Sequence, residues 1–281
     1  MDGRTPKRLS LFWMVFFIVL AVGGAVGANL WKRNLKVAEV RVAGNSMLST
    51  QEVLACANIQ KGVMLFAADL GEVKHRLLEH PFIRSASVNR DVPDRISITI
   101  EERVPIVAVI VDKVMYLDAE GYVLPAPSLS GPAPNRSRSI GARSGPGLRS
   151  DPVFDLAVLT GPEVFGTGSA HQDELIPGSQ IRSARLKEAL SVVEVARRVS
   201  GELYHRISEV YLHGRNNMIL YTAESGVPVV FGRGDVAEKL LKLDGFWREV
   251  VQPVGAHAVQ YIDLRFEDQV VVRWKDGLGP S

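Results

Sequence analysis

Two adjacent carboxylates, Glu101 and Glu102, come nearest to acid–base machinery in this sequence of 281 residues. A carboxylate pair can protonate a leaving group and activate a water, provided both groups reach one bond. These two end the run "RISITIEERVP", in which Ile96, Ile98 and Ile100 alternate with Ser97 and Thr99. Neighbours on a strand point to opposite faces, so the pair cannot grip one substrate; solvation or ion pairing is their expected state. The six histidines (His75, His80, His171, His205, His213 and His257) form no HExxH motif and no helical i, i+4 pair. Cys56 is the lone cysteine, with no partner for a disulfide or a zinc site, and its setting "EVLACANI" reads as core. Arg233-Gly234-Asp235 is an adhesion-like tripeptide, but Asp235 is explained by helix capping and the glycines by a turn. Neither GxSxG nor GxxxxGK[ST] occurs. A net charge of +2 makes no electrostatic case for nucleic acid. The expectation is a protein that is not an enzyme and uses no cofactor, metal or small-molecule substrate.

If no chemistry is done, the elements must serve to hold something. From Leu11 to Leu30, "LFWMVFFIVLAVGGAVGANL" carries no charge. As a helix it would rise about 30 Å, the thickness of the hydrocarbon core. Arg4, Lys7 and Arg8 precede it, and Trp31, Lys32, Arg33 and Lys36 follow, as suits the headgroup regions. Residues 11–30 are therefore read as a single transmembrane helix behind a short tail, 1–10. A cleaved signal peptide is the rival, since "VGA" at Val26–Ala28 offers small residues, but the apolar run is longer than the usual ~7–15 residues. Basic residues are balanced across the segment, so charge does not set its orientation. Gly23 and Gly27 have GxxxG spacing, a weak pointer to dimerisation.

A strand-like run with Val37, Val40 and Val42 follows and ends at Gly44-Asn45. Ser49 and Glu52 have capping-box spacing before a short helix from Thr50 to about Ala57. Asp69 and Glu72 repeat it before a second helix with Leu70, Val73 and Leu77 on one face, stopped by Pro81. "SASVNRDVPDRISITIEE" is then a hairpin, with Pro93 in its turn and an isoleucine face that the two helices can cover.

This order, strand–helix–helix–strand–strand, resembles a POTRA domain, here placed at 35–104. The sequence "LFAADLGEVKHRLLEHPFIRSASVNRDVPDRISITIEERVP", Leu65 to Pro105, is similar to the version found in FtsQ/DivIB division proteins. Farther on, "ISEVYL", "GVPVVFGRGDVAEKLLKL" and "VQYIDLRFEDQVVVRW" resemble the C-terminal β domain of that family, placed at 105–278. Within it, "PAPSLSGPAPNRSRSIGARSGPGLRSDP" is a Pro/Gly/Ser/Arg-rich insertion at about 125–152 that cannot bury enough apolar area to offset its ordering. Its Arg136, Arg138, Arg143 and Arg149 read as solvated. The insertion departs from the family pattern. A helix from about Ile181 to Val199, ended by Gly201, precedes three strands. Asp235 and Glu238 sit at capping positions of a last helix, with Leu240, Leu243, Trp247 and Val250 as its buried stripe. The fold class is thus α+β: a transmembrane helix, a small POTRA domain and a larger mixed β domain with flanking helices.

The last strand, Gln269 to Trp274, is the physical handle. If it lies at a sheet edge, free backbone groups can pair with an incoming strand. Val270 and Val272 would line one face, Val271 and Arg273 the other. The resemblance implies that this strand and the adjacent helix are presented to FtsB, within a complex that includes FtsL. By position the surface includes Phe266, Asp268, Val271 and Trp274, with Trp247 and Arg248 on the helix. For Phe266 and Val271, ordinary core packing is the competing account. Replacing Val271 by Pro should then abolish FtsB binding while unfolding stays cooperative. The resemblance also implies a divisome scaffold in the inner membrane at the septum, N-terminus cytoplasmic and C-terminal domains periplasmic, with other division proteins meeting the POTRA unit. An alternative keeps the fold but serves outer-membrane protein assembly or secretion; such proteins usually carry repeated POTRA units or a barrel, and neither is seen.

Overall fold

The computed structural model describes residues 7–110, 113–126, 156–161, 175–214, 217–275 and 279. Most of the 125–152 insertion with its four arginines, residues 1–6 of the tail, and His171 lie outside them. The chain divides into two units, Met1–Glu102 and Arg103–Ser281.

In the first unit, α1 (Lys7–Asn34) contains a 20-residue apolar stretch, Trp13–Lys32, long enough to cross a membrane. After it come β1 (Glu39–Ala43), α2 (Thr50–Ala57), α3 (Leu70–Leu78), β2 (Ile83–Asp91) and β3 (Arg95–Glu102). The sheet order is β1-β3-β2, with β3 parallel to β1 and antiparallel to β2. Ile96, Ile98 and Ile100 are buried with Val53 and Ala57 of α2 and Val73 and Leu77 of α3, so the helices cover the isoleucine face. The Ser49–Glu52 box forms in both directions. At α3 only half of it does: Asp69 accepts from the amides of Gly71 and Glu72, while Glu72 turns to Arg76, 3.8 Å away. Cys56 is half-buried against this core, and burial raises its thiol pKa.

The adjacent glutamates have distinct jobs. Glu101 pairs with Arg84 at 3.2 Å on the exposed face. Glu102 accepts from the backbone amides of Ser46, Met47 and Leu48 at 3.0, 2.7 and 2.9 Å. Its carboxylate thus sits in the concave loop between β1 and α2, where backbone amides, and no cation among the described residues, take the place of the expected solvation or ion pairing.

The second unit contains β4 (Pro105–Ile110), β5 (Val114–Asp118), β6 (Val123–Pro125) and β7 (Ala157–Thr160). Then come α4 (Ala184–Val199), α5 (Gly201–Arg206), β8 (Ile207–His213), β9 (Asn217–Thr222) and β10 (Pro228–Val230). The last elements are α6 (Val236–Phe246), β11 (Val259–Asp263) and β12 (Val271–Trp274). Among the described residues these strands form a nine-stranded sheet in the order β12-β11-β10-β9-β8-β7-β4-β5-β6. One face is buried under α4 and α6 through Leu190, Val193, Leu240 and Leu243.

Two local readings are corrected. Gly201 does not end α4. Ser200 does, because it is extended and its hydroxyl caps α5 through the amides of Glu202 and Leu203. Asp235 occupies the N-cap of α6 but is left-handed, with φ 48°, and makes no side-chain cap bond. Glu238 pairs instead with Lys242 at 2.6 Å.

Candidate functional site

The predicted handle proves to be an edge. β12 pairs antiparallel with β11 on one side and with no other strand among the described residues. It is shorter than expected: Gln269 and Val270 precede it in irregular chain.

Hydrogen bonds flanking the ladder fix which amides face outward. Leu264 N–H donates to Val230 O toward β10, so alternation turns the amides of Asp263 and Tyr261 toward β12. From the other strand, Lys275 N–H donates to Ala258 O at 2.8 Å. Two-residue alternation then directs Arg273 and Val271 inward, matching their register with Tyr261 and Asp263. The amides that face the open edge belong to Val272 and Trp274. This corrects the expectation for Val271→Pro: it would remove a bond inside the sheet, not a donor at its edge.

Side chains alternate as anticipated. Val270, Val272 and Trp274 pack on the core, partly buried, whereas Arg273 is exposed and Val271 half-buried. Trp274 therefore anchors the strand as well as flanking the edge. Phe266 is 47% exposed in the turn, so core packing does not account for it. Asp268 and Gln269 are exposed beside it.

The hairpin is held from below. Asp263 is buried, and its carboxylate takes a forked pair of bonds from Arg265, 3.0 Å from Nε and 2.6 Å from the terminal nitrogen. Those bonds, against the opposing effect of burial, hold the Asp263 pKa below its usual value. Lys239, also buried, donates its ammonium to the carbonyls of Phe231 and Arg233 at 3.1 and 2.6 Å. Lys242 of α6 donates to the carbonyl of Glu267, fastening the turn to the helix.

The helical part of the expected surface divides. Trp247 is 1% exposed and belongs to the core, so its ring is not a surface contact. It opens a π-helical turn, Trp247–Val251, marked by Gln252 N–H donating to Trp247 O. Arg248 is exposed and ion-pairs with the buried Asp244, which Arg206 also reaches at 3.3 Å. Arg206 lies over the Trp247 ring at 5.0 Å, and burial draws its pKa down. Leu241, 57% exposed on α6, escaped the sequence reading. It lies off the buried stripe of α6, so helical periodicity gave no signal for it. No group of three or more potential metal ligands exists among the described residues.

Both units match known proteins in sequence. The profile for "POTRA domain, FtsQ-type" matches residues 35–103. The profile for "Cell division protein FtsQ/DivIB, C-terminal" matches residues 108–265, more than half of the chain. The chain belongs to the FtsQ/DivIB family. Relatives named cell division protein FtsQ include that of Rhodothermus marinus, 29% identical over 96% of this chain and 91% of its own. The protein of that name from Syntrophotalea carbinolica is 27% identical over 92% of this chain and 82% of its own. Family membership supports a protein–protein role in the division machinery, and with α1 it fits a single-pass membrane protein.

Proposed function

We propose that this chain is a non-catalytic scaffold of the bacterial divisome that receives a strand of FtsB along β12 and, through that contact, engages FtsL. Its α1 anchors it in the inner membrane with the N-terminus cytoplasmic, and the two folded units stand in the periplasm at the division septum. The open β12 edge carries this reading. It offers the Val272 and Trp274 amides, lies beside an exposed Phe266, and follows a turn fastened by the Asp263–Arg265 and Lys242–Glu267 contacts. An edge held in place loses less order when a partner strand arrives than a mobile one would. The POTRA unit is read as a second contact for other division proteins.

The test is affinity co-purification of the full chain with FtsB and FtsL from membranes, followed by the same with Val272→Pro. The reading predicts a three-protein complex for the parent chain and its loss for the variant, with cooperative unfolding intact. Undiminished FtsB in the variant complex would remove strand addition at this edge.

A further inference from the structure

The chain leaving α1 folds back at once against the loop before α3. Val37 N–H donates to Val63 O, Gly62 N–H to Val37 O and Leu65 N–H to Leu35 O, each at 2.8 Å. Val37 and Leu65 are buried by this pairing, but their neighbours point away: Val63, Met64 and Phe66 are 38%, 48% and 43% exposed. Three large apolar side chains within four residues of a loop is not ordinary surface scatter. Cations surround them. The Lys32 ammonium lies 6.0 Å from the Phe66 ring centroid and the Arg90 guanidinium 5.7 Å, while Lys36 and Lys61 are exposed alongside. Arg90 is fixed there by bonds to the carbonyls of Leu65 and Ala68 at 3.0 and 2.6 Å.

We infer that the loop 61–66 is a second membrane contact, seated in the headgroup layer of the leaflet from which α1 emerges and fitted to anionic phospholipid. Its depth argues for lipid. Lys32 is the last residue of the apolar span, and Phe66 sits against it. Leu65 is hydrogen-bonded to Leu35, three residues or about 4.5 Å of helix rise past Lys32, which sets the loop level with the headgroup layer that extends roughly 5–7 Å beyond the hydrocarbon when α1 spans. The side chains suit the position: an aromatic ring and aliphatic groups reach toward the acyl boundary, and ammonium and guanidinium groups lie level with phosphate. The contact would fix the orientation of the POTRA unit on the bilayer, which a lone helix followed by free chain would not.

This inference rests on α1 being retained as a membrane span. The test uses the full chain carrying Cys56→Ser, with Phe66→Cys labelled by an environment-sensitive fluorophore. It is reconstituted in vesicles of phosphatidylglycerol and phosphatidylethanolamine whose acyl chains are brominated near the headgroup. Ser85→Cys is the reference, since Ser85 is exposed and pairs with Glu101 at the end of the sheet away from where β1 begins. The expected result is a blue-shifted label at 66, quenched several-fold more strongly than at 85. Loss of much of that quenching when phosphatidylglycerol is omitted would be the mark of the cations. Emission at 66 as water-like and unquenched as at 85 would overturn the inference, and so would a blue shift seen only when other division proteins are added. If Phe66→Cys does not fold, Met64→Cys at the same tip gives the same readings. The mass of the mature N-terminus in cells tests α1 separately: a chain beginning after Ala28 would sink the anchor itself, whereas an intact chain with a water-exposed label would sink only this contact.

Discussion

The two edges of the nine-stranded sheet are finished in opposite ways. At β6, the chain seals its own edge. Val123 N–H donates to Ser179 O at 2.9 Å, Gly178 N–H donates to Val123 O at 2.8 Å, and Ile181 N–H donates to Gly121 O at 2.8 Å. Tyr122 and Gln180 form an antiparallel bridge between them, and Val123 and Leu124 are fully buried. Pro125 then ends the strand with a residue that has no N–H to offer. At β12 the described residues provide no such cover, and the strand is half-buried with exposed Arg273 in its middle. An unpaired edge is a standing risk of unwanted association. Among the described residues, then, one edge of the sheet is closed by the chain's own backbone and the other pairs with no further strand, and that contrast is what the proposed strand addition uses.

Substitutions at the two edges should separate binding from stability. The largest effect is expected for Val272→Pro, which removes an outward amide: partner affinity falls at least about a hundredfold, about 2.7 kcal/mol. Stability should change by less than about 1 kcal/mol, because that amide has no partner in the sheet. Titration of the partner segment and denaturant unfolding on the same preparation check both halves. Val271→Pro is its mirror. By breaking an inward bond to β11 it should cost roughly 2 kcal/mol of stability, seen as a lower unfolding midpoint. A Val271 variant as stable as the parent would mean the assigned register of outward amides is wrong.

On the sealed edge, Gly121→Ala should cost roughly 1–2 kcal/mol and leave partner affinity unchanged. The glycine has φ +81°, and an added Cβ would come within 2.7 Å of Ile181 Cγ1, against the segment that seals the edge. The smallest effect belongs to Asp263→Asn, roughly 1 kcal/mol near neutral pH. The pKa of Asp263 is depressed when folded, so its stabilisation is complete above the unfolded aspartate value of about 3.9 and is lost as pH falls through the lower folded value. Unfolding followed from pH 6 downward should therefore show the parent and variant converging in acid. A gap that persists at low pH would contradict the role given to this carboxylate.

Much of this architecture was legible in the sequence because it depends on local pattern. Ile96, Ile98 and Ile100 alternate with polar residues and so announce a one-faced strand, and Ser49 with Glu52 announces a helix start. The candidate site was legible in part. That a strand lies near Val271–Trp274 follows from "VVVRW", but which amides face outward depends on how β11 pairs with β10, a contact between residues some thirty positions apart. Trp247 was readable both as stripe and as surface, and only the π-helical turn shows its ring taken inward. Glu102 was misread because a carboxylate among charges looks solvated, while the amides that bind it come from a loop more than fifty residues earlier. Leu241 was passed over because helical periodicity finds buried stripes and gives no weight to an apolar residue off the stripe.

The most direct test of the open edge is amide hydrogen exchange of the full chain in a membrane mimetic, read at Val272, Trp274 and Val123, with and without the periplasmic segment of FtsB. The account predicts that Val272 and Trp274 exchange readily in the free chain and slow at least about tenfold on binding. Val123, already bonded to Ser179, should be slow in both states. Saturated binding with Val272 and Trp274 still exchanging at their free rates would contradict the claim that β12 is where the partner strand is received.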